Sequence, residues 1–191
     1  MNRPRARASN THDFLDFVEE VLRPGVRAHL RQALAPEIAT ALLDALPTEW
    51  LDVADVHGAY VTELVRLLGP AEATSAWRRY VVERLEARPA YRALIQGAIR
   101  LFGLSLGSFV QLMPKIFAQT FRDCFEIRTQ VEGREAFIHL ELSPTLARFD
   151  GYTQMLHGLL LAVCDYSRDP GATMEFEPDL PGRRITAHYR W

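Results

Sequence analysis

Two cysteines and six histidines are the side chains of this sequence best suited to covalent or metal chemistry, and their spacing decides what they could do. Cys164 follows His157 at a distance that puts both on one helix face. A cysteine nucleophile needs a base within hydrogen-bond reach, so this pair is the strongest claim to catalysis. The competing reading makes Cys164 a small core residue of an apolar helix, with His157 on the rim, and the neighbours Leu159, Leu160 and Val163 favour it. Zinc sites gather Cys, His or carboxylates at short intervals. His12, His29, His57, His139, His157 and His188 are instead isolated, with no Cys-x₂-Cys or His-Glu-x-x-His motif, so no metal site is expected. Gly107-Ser108 and Leu142-Ser143-Pro144 lack the strand-to-helix elbow of a serine hydrolase. No glycine-rich phosphate loop occurs. The paired carboxylates Glu19-Glu20 and Asp52/Asp55 read as solvated or helix-capping groups.

Composition narrows the class further. With 22 Lys+Arg against 24 Asp+Glu the net charge is −2, which is no basic footprint for nucleic acid. Two distant cysteines suit a reducing compartment, and a cytoplasmic location is expected. No apolar run reaches the roughly 18–20 residues that span a bilayer. The start, Met1-Asn2-Arg3-Pro4-Arg5-Ala6-Arg7, is basic without a following apolar stretch, so it is not a secretory signal. Residues 1–10 are expected to be a flexible tail.

The elements that must position these residues follow from period. One domain is expected over 1–191, with a helical part at 11–121 and a strand–strand–helix–strand–strand part at 122–191. Thr11 or Asn10 can cap a first helix bearing Phe14, Phe17, Val18, Val21 and Leu22, which Pro24-Gly25 breaks. Residues 26–33 and 36–46 make two short helices. A connector carries Trp50, and Asp52 or Asp55 caps a helix through Tyr60, Leu64 and Leu68. Further helices are expected around Trp77 and Tyr80, up to a stop at Arg88-Pro89, and over 91–102. The most apolar helix, 103–121, has Pro114 inside it, which predicts a kink or two helices meeting there. Alternation at 124–131 and 136–142 about Glu132-Gly133-Arg134 predicts a hairpin. A buried helix at 151–166 precedes strands at 172–177 and 184–191. The fold class is therefore α+β, with a four-stranded antiparallel sheet in β-β-α-β-β order.

Two apolar helices on one sheet make a core or line a pocket. Phe109, Met113, Phe117, Met155 and Leu159, large and apolar and close to Pro114, are the candidate ligand-binding residues. The ligand would be a lipid or another hydrophobic small molecule. A second reading has no ligand: Phe14, Phe17 and Val21 on the first helix would form the face of a homodimer or meet another protein partner.

Phe125-Glu126 opening the first long strand, then Gly151-Tyr152 through Met155-Leu156-His157-Gly158-Leu159-Leu160, resemble the haem-NO-binding, four-vinyl-reductase and TRAPP-subunit superfamily. Leu46-Pro47-Thr48-Glu49-Trp50 and the terminal Tyr189-Arg190-Trp191 are more similar to a myxobacterial paralogous family of unknown function within it. The resemblance implies a sensory, regulatory or scaffolding module that is not an enzyme. It departs from the haem-binding members where it matters. Phe109-Val110-Gln111-Leu112-Met113 holds no histidine to ligate iron, and Glu141 and Thr145 flank Ser143 where a Tyr-x-Ser-x-Arg motif would hold the propionates. No haem or other cofactor is therefore expected. The final hairpin, 174–191, also lacks the cysteines that four-vinyl-reductase-like domains often carry there.

Overall fold

A computed structural model describes residues 3–84, 105–167 and 169–191. Along the chain run β1 (Arg5–Arg7), α1 (Ala8–Phe17), α2 (Val26–Ala33), α3 (Pro36–Leu43), β2 (Trp50–Asp52), α4 (Gly58–Leu68) and α5 (Pro70–Arg84). After them come α6 (Leu106–Thr120), β3 (Phe121–Arg122), β4 (Phe125–Glu132), β5 (Glu135–Leu142), α7 (Gly151–Tyr166), β6 (Thr173–Asp179) and β7 (Arg184–Arg190). The class is α+β, with helices dominating the N-terminal part. No helix among the described residues is long and apolar enough to cross a membrane. The expected helix at 91–102, the stop at Arg88-Pro89 and the start of the 103–121 helix lie outside the described residues.

The expected flexible tail is overturned for residues 5–10, which are strand and helix. Residues 5–7 form the middle strand of a three-stranded antiparallel sheet in the order β2-β1-β3. Ala6 pairs with Leu51 on one side and Phe121 on the other, and is fully buried. A strand of three small or basic residues has no apolar period, and it is held by main-chain hydrogen bonds to partners far along the chain. The segment around Trp50, expected as a connector, is for the same reason an edge strand of this sheet. The Arg7 and Arg122 guanidiniums both lie over the half-buried Trp50 indole, at 5.2 and 3.9 Å from the ring centre.

The first helix starts at Ala8, ahead of the expected caps, and its last turn, Val18–Leu22, is widened to a π-helix. Glu19 caps the next helix, its carboxylate accepting from the Gly25 and Arg27 amides at 2.6 and 3.1 Å. Those donors hold its carboxyl below the usual carboxylate range. Asp52 caps the turn leading into α4, accepting from the Ala54 and Asp55 amides at 2.8 and 3.3 Å.

The larger sheet has the order β4-β5-β7-β6, antiparallel throughout. Gly133, at φ +60°, makes the β4–β5 turn that a β-carbon would strain. Ile138, Leu140, Ile185, Ala187 and Tyr189 form its buried face beneath α7. The Tyr189 hydroxyl donates to the Leu160 carbonyl at 2.9 Å. The outer face is polar, with ion pairs such as Arg190–Glu175 at 2.7 Å and with Phe137 stacked on His188. A continuous core runs from Ala6 to Tyr189 and joins the helices to both sheets.

Candidate functional site

Three helices and the N-terminal strand surround a cavity. From α6 come Phe109, Met113, Ile116 and Phe117, spaced so that one face looks inward. From α7 come Met155, Leu159 and Val163, each one turn from the next. Trp77, Tyr80 and Val81 of α5 make a third wall, and Ala6, Asn10, Thr11 and His57 contribute from the first helix and strand and the turn before α4. The five candidate residues Phe109, Met113, Phe117, Met155 and Leu159 are thus brought to one cavity. The cavity has a volume of about 80 Å³. Pro114 is not in the lining, and α6 runs unbroken through it, so its position says nothing about the cavity.

The polar groups of the lining are mostly engaged. Asn10 Nδ2 donates to Thr120 Oγ1 at 2.6 Å. Thr11 Oγ1 donates to the Arg7 carbonyl at 3.2 Å. The hydroxyls of Tyr80 and Tyr166 donate to Asp13 and to the Val81 carbonyl, at 3.1 and 2.6 Å. His57, only 3% exposed, has its Nδ1 2.6 Å from the Tyr152 hydroxyl, and the two rings stack. Burial pushes the His57 imidazole down to about 3 and the Tyr152 phenol well above its ordinary range, so both are neutral near pH 7. Among the described residues, the Trp77 indole nitrogen and the Tyr60 hydroxyl, the latter outside the lining, are buried without a hydrogen-bond partner. No charged side chain lines the cavity among the described residues.

Sequence reasoning missed His57 and Trp77. An isolated histidine whose hydrogen-bond partner is 95 positions away leaves no local pattern. Trp77 was legible only as one apolar residue of an amphipathic helix.

The expected partner face is overturned for two of its three residues. Phe14 and Phe17 are fully buried by the chain's own α5, Phe14 stacked on Trp77 and edge-on to Tyr80 at 5.2 Å. Only Val21 is exposed, at 42%. An amphipathic stripe needs some cover, and here another helix of the same chain provides it.

The cysteine chemistry is not supported either. No hydrogen bond joins Cys164 and His157, and the histidine ring stacks on Phe176 with centroids 4.4 Å apart. Burial pushes the Cys164 thiol up to about 11 and the Cys124 thiol to about 12, the direction opposite to an activated nucleophile. Iodoacetamide should alkylate native Cys164 at neutral pH roughly 100-fold more slowly than the urea-unfolded chain, as about two units of pKa dictate. Labelling at comparable rates, read by mass spectrometry, would restore the catalytic reading. Among the described residues no group of three or more His, Cys, Asp or Glu side chains could hold a metal ion.

Comparison of the chain with models of known protein families and with curated proteins finds no match.

Proposed function

We propose that this protein is a non-enzymatic module that binds a small apolar molecule in the cavity between α5, α6 and α7, and that the binding serves a sensory or regulatory purpose. The observation that carries this reading is a cavity of about 80 Å³ walled by large apolar side chains. Protein interiors pack to crystal-like density, and a single water needs only about 10–15 Å³ by the same measure. The β4-β5-α7-β6-β7 order fits the superfamily that the sequence resembles, and assignment to it is part of the proposal. A scaffold without ligand is less well supported. Only Val21, Leu46 and Val82 are large apolar residues exposed among those described, and Leu46 lies in the loop between α3 and β2.

Nile red, uncharged and brighter in apolar surroundings, tests this. The purified protein should bind it saturably at one site. Leu159→Trp, which puts an indole into the lining, should weaken binding at least about tenfold with the fold intact by circular dichroism. No saturable binding, or unchanged affinity in the folded variant, would overturn the proposal.

A further inference from the structure

We infer that the protein forms a two-fold symmetric dimer in which β4 pairs antiparallel with β4 of a second copy, with Ile127 on the axis and Glu126 opposite Arg128, so that two four-stranded sheets become one. The order β4-β5-β7-β6 leaves two edges open. An edge strand carries a row of unpaired N–H and C=O groups, and folded proteins usually blunt it with proline or with charge. Strand β6 is blunted in both ways. Pro178 supplies no N–H, and Glu175, Glu177 and Asp179 stand in a row on its outer face, where a second β6 would meet like charges. Strand β4 has neither device. It runs for eight residues, Phe125–Glu132, without proline or glycine, and its outer face reads Glu126, Arg128, Gln130, Glu132. No residue of β4 lines the cavity, so this edge is a separate surface.

Register identifies the free groups of β4. The Ser143 amide donates to the Cys124 carbonyl at 2.8 Å, which makes Cys124 and Ser143 a hydrogen-bonded pair in line with the β4–β5 ladder. Bonded pairs alternate along an antiparallel ladder, so Glu126, Arg128, Gln130 and Glu132 bond to β5. Phe125, Ile127, Thr129 and Val131 turn their N–H and C=O groups to the open edge, where no strand among the described residues meets them. With Ile127 on the two-fold axis, Phe125 faces Thr129 of the second copy, and these residues exchange the free main-chain bonds. Glu126 then faces the second copy's Arg128, and the reverse, at the non-bonded positions where side chains come closest. Both side chains are exposed in the single chain, and their ion pair with each other is long, at 3.6 Å. Other registers are worse. An axis at Glu126 or Arg128 sets like charges directly opposite, and an axis at Thr129 sets Glu126 against Glu132. An axis between residues sets the core face of one strand against the solvent face of the other. The second strand would also cover Phe125 and Ile127, which are only half-buried on the core face.

Sedimentation equilibrium of the full chain measures this. The wild type should show twice the 21.7 kDa chain mass, with a dissociation constant in the micromolar range or below. Glu126→Arg or Arg128→Glu alone creates two like-charge contacts across the axis and should weaken the dimer about tenfold. The double swap Glu126→Arg/Arg128→Glu restores attraction and should return the dimer to within about threefold of wild type. Thr129→Pro removes an edge N–H but no bond to β5, as Pro178 does in β6, and should weaken association at least about tenfold. It stands by itself should a charge variant fail to fold. A chain that stays monomeric up to about 100 µM overturns the dimer and leaves the edge to water or to a strand of another protein. A dimer indifferent to the single swaps and to Thr129→Pro overturns it as well, by placing the contact elsewhere. A double swap no better than the single ones overturns the register that pairs Glu126 with Arg128.

Discussion

Replacing Gly158 by alanine destabilises the fold by about 3 kcal/mol, against the helix-propensity gain of about 1 kcal/mol that alanine normally brings over glycine. Gly158 sits on α7 where α5 passes closest. A β-carbon there would lie 2.4 Å from the Thr74 carbonyl oxygen, 2.7 Å from Trp77 Cβ and 3.1 Å from the Arg78 amide nitrogen. These are backbone atoms or the first atom of a side chain, so none can swing aside. Helix α5 must instead move bodily off α7. That would loosen the two-pronged Arg78–Asp165 contact, at 2.6 and 2.7 Å, and the stack of Phe14 on Trp77. It would also shift the Trp77 wall of the cavity. Gly158→Val, with two more carbons, should exceed the alanine effect. Urea unfolding followed by circular dichroism measures both, with an unchanged m-value assigning the loss to the native state. An alanine variant within about 0.5 kcal/mol of wild type would mean that α5 and α7 are not packed backbone to backbone.

The second large effect is acid sensitivity above the carboxylate range. His57 has an ordinary imidazole value near 6.5 in the unfolded chain, and about 3 when folded, because burial disfavours its charged form. Between those two values the unfolded state binds a proton that the native state refuses. Stability therefore falls as pH drops below about 6.5, by roughly 2 kcal/mol at pH 5 and up to about 5 kcal/mol near pH 3. Glu19, Glu63 and Glu175, whose folded values are lowered by hydrogen bonds, lose their contributions only below about pH 4.5. The window from about pH 6.5 to 5 thus belongs to the histidines. His157, also lowered by partial burial, acts in the same direction. The double variant His57→Phe/Tyr152→Phe removes both hydrogen-bonding partners and keeps both rings, a change that leaves no half of the pair unsatisfied. Unfolding free energies at about pH 7, 6 and 5 should fall steeply for wild type and much less for the variant. Parallel losses would show that His57 does not carry the effect.

Phe14 and Gly158 show how far local pattern reaches. The period of Phe14, Phe17 and Val18 marks an amphipathic helix, yet the same stripe serves a partner protein or the chain's own α5 equally well. Local spacing carries no information on which surface arrives to cover it. Gly158 reads as a weak point in a helix until α5 is seen to need the missing side chain. The small sheet is the extreme case. Its strands span only two or three residues each, too short for alternation to register, and they pair with partners far along the chain.

What the sequence determined by itself is the α+β class, the helical boundaries at residues 26–33 and 151–166, the apolar faces of α6 and α7, and the absence of familiar catalytic and phosphate-binding motifs. Those follow from period and from short spacings, which are local. Tertiary structure decided the rest. It turned the basic N-terminus into a central strand, buried the supposed partner face, and separated Cys164 from His157. It also gathered Phe109, Met113, Phe117, Met155 and Leu159 around a space that His57 and Trp77 also line. Each of those outcomes depends on main-chain pairing or side-chain contact between residues remote in sequence. Only the folded chain brings such residues within the few ångströms over which hydrogen bonds and packing act.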